Sequence, residues 1–301
     1  MKPPRKESHA VFERRQRADG RLGELQNVRA TAYGLARTDG ELQPDAAYLV
    51  FVDRKRPKSQ VRSANMIPRY VSRNGKKLRT DVEELGRPML QAATALSDRV
   101  QQSTTTCYAR KAGGVFAVSC AHGLLGPDGF GVTPDPVAVW RPDLTLWEDV
   151  GETDLLVRSG GSGVSPDNFG FLDAGLVQVK ASWLEKAILA RPPLVMSPTV
   201  HTLLAVFGEA VVTGSHSAVV RAMWVSGVAG TGLRCDVVIE HPALQPLTRP
   251  GDSGMLWVDS QGRAVAMHVK KAGNPANQPS LRSLCTLARR LPVVLGADLV
   301  R

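Results

Sequence analysis

The sequence predicts an all-β fold of antiparallel strands, on three observations. Strand-sized apolar runs recur along the 301 residues, 28 glycines and 20 prolines punctuate them, and no long amphipathic helix separates them. Short strands with frequent turn signals favour an antiparallel sandwich or a pair of barrels over alternating βαβ units. A chain of this length can bury a full core, as one large domain or as two lobes.

Residues 1–24 form a charged arm with few apolar positions to hold it to a core, and it is expected to be mobile. From Val28 the pattern turns β-like. The runs RATAYGLA and AAYLVFVD flank the turn-forming stretch Arg37–Asp45 and predict a hairpin inside an extension spanning residues 25–99. GGVFAVSC, VAVW, DLLVR and LDAGLVQV follow within residues 100–192, a first lobe. EAVVTG, AVVRAMWV, RCDVVIE, MLWVD and AVAMHV lie within residues 193–301, a second lobe, with the divide expected near Arg191–Pro193. One C-terminal helix is expected, capped by Ser280, carrying Leu281, Leu284, Leu287, Ala288 and Leu291 at helical spacing and ending near Pro292.

The formal net charge of +10 suits a polyanionic partner. Much of it sits in Lys2–Arg21 and Arg54–Arg79, where Lys and Arg interleave with Pro, Ser and Asn, not with stacking aromatics. That composition favours a solvated basic face over a nucleic-acid partner. Cys107, Cys120, Cys235 and Cys285 lack C-x-x-C spacing and the density of a disulfide scaffold, so free thiols and no metal site are expected. The first twenty residues are charged throughout and lack the apolar segment of a signal peptide, and no later stretch is apolar enough to span a bilayer. A soluble, cytoplasmic protein with no membrane partner is the expectation.

The stretch Arg249-Pro-Gly-Asp-Ser-Gly-Met255 carries the most chemistry. A hydroxyl becomes a useful nucleophile when a base takes its proton and donors stabilise the oxyanion that its attack creates. With Gly251 and Gly254 at a tight turn, the amide hydrogens of Gly251 and Ser253 can converge on one point. Gly-Asp-Ser-Gly is also ordinary β-turn chemistry, so the motif needs a partner. His122 is the candidate base: it follows the apolar run GGVFAVS and precedes a glycine that opens a loop. A third group must hold the imidazole in the right tautomer. Asp173, among apolar neighbours in FLDAGLVQV, and Asp154, in TDLLV, both qualify, and periodicity does not separate them.

Taken in order, SCAHG at His122, LDAGLV at Asp173 and RPGDSG at Ser253 resemble the chymotrypsin-like (trypsin-like) serine proteases over residues 105–292. The resemblance favours Asp173 over Asp154, because that family's aspartate opens a strand as Asp-small-small-aliphatic-aliphatic. Phe207-Gly-Glu-Ala-Val-Val-Thr-Gly214 resembles the Gly-x-x-Thr-Gly strand of the family's second barrel region. The resemblance implies two six-stranded antiparallel β-barrels and a serine endopeptidase that needs no cofactor. In that reading Ser253 is the nucleophile, His122 the general base and Asp173 its orienting partner. The oxyanion hole is made by Gly251 and Ser253. The N-terminal pattern TAYGLARTDG, AAYLVFVDRKRP, MIPRYV and TDVEELG is similar to bacterial trypsin-like peptidases and the plant narrow-leaf proteases. That likeness implies an extension docked on the barrels and assembly into a homo-oligomer.

The departures are specific. Met255-Leu256 follows the serine motif where the family has Gly-Pro, Gly123 stands where it has a cysteine, and there is no Ile-Val-Gly-Gly start to pair with Asp252. Asp252 should therefore find an Arg or a backbone donor. Leu247 replaces the acidic residue of trypsin-like pockets, so a preference for Lys or Arg is not expected. His268 resembles the histidine that contacts Glu or Gln side chains in glutamyl endopeptidases and picornavirus main proteases, and an imidazole can donate to either group. Against the protein- or peptide-cleaving enzyme stand two readings from other classes: a pseudoprotease scaffold and a nucleic-acid-binding regulator.

Overall fold

The computed structural model describes the chain except for residues 1–21, 23, 26, 53, 74–75, 85–88, 91–95, 98–101, 125–134, 142–145, 161–170, 211, 228–234 and 273–279. The charged arm and part of the extension thus lie outside the described residues. Strand dominates the rest, in two sheets.

The extension begins with β1 (Val28–Thr38) and β2 (Glu41–Val52), paired antiparallel. Their turn is Asp39-Gly40, with φ of 51° and 85°. Two positive φ values make the turn whose twist matches that of the flanking strands. The turn expected over Arg37–Asp45 therefore contracts to two residues, and both strands lengthen into it. β3 (Tyr70–Arg73) and β4 (Lys76–Glu84) follow; β4 runs parallel to β2 and antiparallel to β3. The two-residue strand β5 (Met89–Leu90) leaves this unit.

One sheet joins β6 (Leu96–Ser97), from the end of the expected extension, with β7 (Gln102–Ser103), β8 (Cys107–Lys111), β9 (Gly114–Ser119), β10 (Pro136–Arg141), β11 (Leu146–Gly160) and β12 (Phe171–Val179). They lie in the order β8-β9-β12-β11-β10-β6-β7. Helix α1 (Ser182–Leu189), which the sequence did not announce, buries Leu184 and Ile188 in the core of this sheet.

The second lobe holds β13 (Ala205–Ala210), β14 (Gly214–Gly227), β15 (Cys235–Glu240), β16 (Leu256–Asp259), β17 (Ala264–Ala272) and β18 (Arg282–Leu287). Their order is β13-β16-β17-β18-β15-β14, and β13 pairs back onto β14, which closes a six-stranded antiparallel barrel. β1 extends the barrel sheet by pairing with β14. One closed barrel, a second antiparallel sheet and a short C-terminal helix agree with the predicted double-barrel architecture.

That helix is displaced from its expected place. Residues 282–287 are a barrel strand between β15 and β17, and helix α2 spans Leu291–Leu295, starting where the expected helix was to end. Both faces of β18 are buried, so its apolar residues follow no two-residue alternation and imitate helical spacing. The chain then returns to the first sheet, where β19 (Asp298–Val300) pairs with β8.

The two cores meet on β17. Val265 and Ala266 belong to the barrel's apolar cluster with Trp257 and Leu287. Met267 and Val269 join Phe116, Val118, Leu176 and Leu291 in a cluster between the sheets. No helix among the described residues is long and apolar enough to cross a membrane.

Candidate active site

β9 delivers His122. Its last residue, Ser119, is followed by the single 3₁₀ turn Ala121–Gly123, all three residues buried. Gly123 is required there, since a Cβ would lie 2.4 Å from the Ser103 Cβ. β12 pairs with β9 and carries Asp173, which is completely buried. The backbone N–H of His122 donates to Asp173 Oδ1 at 2.8 Å, and Nδ1 lies 2.8 Å from Oδ2. With a carboxylate there, Nδ1 carries the proton, and Nε2 of the neutral ring is left as an acceptor.

Ser253 Oγ lies 3.1 Å from that Nε2. The serine turn is held from three sides. Gly254, with φ of 95°, donates its N–H to the His268 carbonyl at 2.8 Å, and the His268 N–H returns a bond to Met255 O at 2.8 Å. The Thr104 N–H donates to the Ser253 carbonyl at 2.6 Å, and the Thr104 hydroxyl donates to Gly251 O at 3.0 Å. A Cβ on Gly254 would stand 2.0 Å from Thr104 O. Asp252, fully buried, accepts from the Arg249 N–H at 2.7 Å and the Thr213 hydroxyl at 2.8 Å. Thr213 precedes β14 and was quoted above only as part of a motif.

Burial opposes a charge on His122, yet Cys120 and the Asp173 carboxylate favour the cation, and together they hold the ring well above an ordinary imidazole. Cys120 Sγ lies 3.8 Å from Nε2. Burial likewise opposes ionised Asp173, but His122, through its charge and two hydrogen bonds, brings the carboxyl below the usual carboxylate range. Arg158 adds a weaker attraction at 3.9 Å. Asp154 lies elsewhere, on the surface, 3.3 Å from Lys111 Nζ.

His268 is fully buried, and burial followed by repulsion from His122 pushes its ring down to about 3, so it is neutral at ordinary pH. Its Nδ1 lies 2.8 Å from Ser283 Oγ, which accepts the Trp257 indole N–H at 3.0 Å. Ser283 Oγ also lies 3.0 Å from Cys285 Sγ. Ser283 Oγ has one proton to give, to His268 Nδ1 or to Cys285 Sγ, and that choice sets the His268 tautomer. Leu247 packs in the barrel core and lines a cavity of about 340 Å³ beside the serine motif, with Thr213, His216, Thr248 and Arg249. Thr248 is completely buried, and its Oγ1 has no hydrogen-bond partner among the described residues. Trp257, Ser283 and Thr248 carry no motif of their own, so the sequence did not single them out.

All four cysteines are buried and none forms a disulfide; burial pushes the thiols of Cys107 and Cys285 up to about 12. Of the basic stretch, Arg54, Lys55, Arg56, Lys58 and Arg62 line an open cavity of about 820 Å³ on the extension, to which the serine turn contributes no residue.

No protein-family model matches the chain, and no curated protein matches it. Among solved structures it is similar to a glutamic acid specific serine protease described as using a histidine triad in substrate binding, at 12% identity, TM-score 0.45, covering 70% of this chain and 99% of that one. It is also similar to Nocardiopsis protease (NAPase), at 11% identity, TM-score 0.45 and coverage of 70% and 98%. An alpha-lytic protease homolog, N4, is similar at 16% identity, TM-score 0.43 and coverage of 69% and 97%.

Proposed function

We propose that this chain is a serine endopeptidase with Ser253 as nucleophile, His122 as general base and Asp173 as the residue that orients it. The observation that carries the reading is the unbroken buried line from Asp173 Oδ2 through His122 to Ser253 Oγ, with contacts of 2.8 and 3.1 Å. These distances lie within the reach that proton transfer requires.

In this reading Ser253 Oγ attacks a peptide carbonyl while its proton passes to His122 Nε2. Asp173, already accepting from Nδ1–H, stabilises the imidazolium. The amides of Gly251 and Ser253 hold the oxyanion, and the two bonds from Thr104 keep that turn in shape. Collapse breaks the C–N bond; the leaving amine takes the proton from His122, and the acyl group stays as an ester on Ser253. Water, deprotonated by His122, then hydrolyses the ester and returns the serine hydroxyl.

The same proposal assigns substrate choice to His268 and Leu247. Neutral His268 keeps one ring N–H, and an imidazole can donate to an acceptor side chain, Glu or Gln, on the acyl side of the cleaved bond. Leu247 supplies no charge for Lys or Arg. Thr248 Oγ1, buried beside Leu247, is a further donor for such a side chain. The deciding experiment pairs fluorophosphonate labelling with a positional peptide library, on wild type, Ser253→Ala and His268→Ala. The reading expects labelling in all but Ser253→Ala, and a Glu or Gln preference lost in His268→Ala. No labelling of wild type sinks the enzyme; a wild-type preference for Leu or Phe sinks the role of His268.

A further inference from the structure

β17 has two edges. One pairs with β18 from Ala266 to Ala272. Along the other, β16 pairs as far as Met267, and the backbone of His268 then holds the serine turn through Gly254 and Met255. Beyond His268 that edge would stand open. Instead it is taken by β5 of the same chain, antiparallel, with Lys270 opposite Leu90 and Lys271 opposite Met89.

The position matters because the strand here continues directly from His268, whose backbone holds the serine turn. Lys270 is two residues past His268, roughly 7 Å along a strand. An open edge so close to Ser253 is where an extended peptide can add as a strand, through main-chain hydrogen bonds. A two-residue pairing is weak by itself, but β5 is tethered. Glu83 is buried and paired with Arg221 and Arg282, and Arg282 also donates to Glu84 O at 2.9 Å. Arg282 in turn sits opposite Ala272 of β17. Leu90 is thus six residues along the chain from an anchor on the neighbouring strand, a tether short enough for an effective concentration on the order of millimolar.

We propose that Met89–Leu90 is a built-in competitor for the peptide-binding edge, so that substrate must displace this segment to reach Ser253. The proposal rests on the endopeptidase reading.

The test is the double variant Met89→Pro, Leu90→Pro, whose residues lack the N–H that strand pairing uses. Expected are a KM for extended peptides lowered about tenfold, unchanged fluorophosphonate labelling, and faster hydrogen–deuterium exchange over residues 269–272. Unchanged KM with normal labelling in both proteins overturns the competitor while leaving the endopeptidase standing. If neither protein is labelled, the endopeptidase reading has failed, and unchanged exchange would overturn the pairing independently.

Discussion

The backbone N–H of Thr104 donates to the carbonyl of Ser253 across 2.6 Å, tying the segment after β7 to the serine turn of the barrel. Ser119, one turn before His122, donates its hydroxyl to Thr104 O at 2.9 Å and lies 2.7 Å from the Ser103 hydroxyl. Ser103-Thr104 therefore lies against both the histidine turn and the serine turn, beside the direct contact of His122 with Ser253. Gly123 and Gly254 are the residues that let it fit.

Thr104→Val keeps shape and the backbone bond but removes the donor to Gly251 O. A net hydrogen bond is worth about 1 kcal/mol, so kcat should fall roughly fivefold. KM should change little if the loss is in holding the oxyanion turn. Steady-state kinetics on one peptide reads the split. Gly254→Ala should be far worse, since its φ of 95° and the 2.0 Å approach to Thr104 O both resist a side chain. Strain of about 1–3 kcal/mol and loss of labelling are expected, read by thermal melting and the fluorophosphonate probe.

Ser253→Ala and His122→Ala should each reduce kcat by several orders of magnitude, on the order of 10⁶ for groups that act as a unit. The double variant should be no worse than either single one. Multiplicative losses would show that the two do not act together.

The rate should rise with pH. In the proposed mechanism His122 acts as a base only when neutral, and its site holds the proton above the ordinary 6.5, so the rising limb of kcat/KM should lie above 6.5. Asp173→Asn removes one source of that shift, so the limb should move to lower pH while activity drops by about 10⁴. A limb at or below 6.5 in wild type contradicts the charge balance drawn here. Stability follows the same groups with signs fixed by linkage. Raised His122 contributes fully below 6.5 and loses its contribution as pH climbs through its folded value. Lowered Asp173 contributes above 3.8 and loses it as pH falls through its folded value. Melting curves of wild type and His122→Ala should therefore converge at high pH.

Arg221 is almost wholly buried and pairs with Glu83 of the extension and, at 2.9 Å, with Glu240 of the barrel. Its Nε reaches Glu240 as an ion pair without hydrogen-bond geometry. Arg221→Met leaves two buried carboxylates short of a cation and should cost about 3–5 kcal/mol. Adding Glu83→Gln and Glu240→Gln should recover part of that loss. Denaturant unfolding of the single and triple variants measures both.

The strands, the order His122, Asp173, Ser253 and the glycines of the serine turn were legible in the sequence. They depend on local rules: β-type apolar runs, turn residues, and glycine where φ is positive or backbones approach. Asp39-Gly40 is the clearest case, a hairpin turn that needs nothing beyond its own two residues. Residues 282–287 show where local rules stop. A strand buried on both faces loses its alternation, and only the pairing of β18 with β15 and β17 reveals it. Periodicity did not separate Asp173 from Asp154, since both lie on strands; the family resemblance favoured Asp173, and the β9–β12 pairing sets that residue against His122. The roles of Thr104, Ser283 and Trp257, and the seat of Met89–Leu90 on β17, come from contacts between residues far apart in the chain. Pairing between distant segments decided them, since no local propensity encodes which strand edge a remote segment will take.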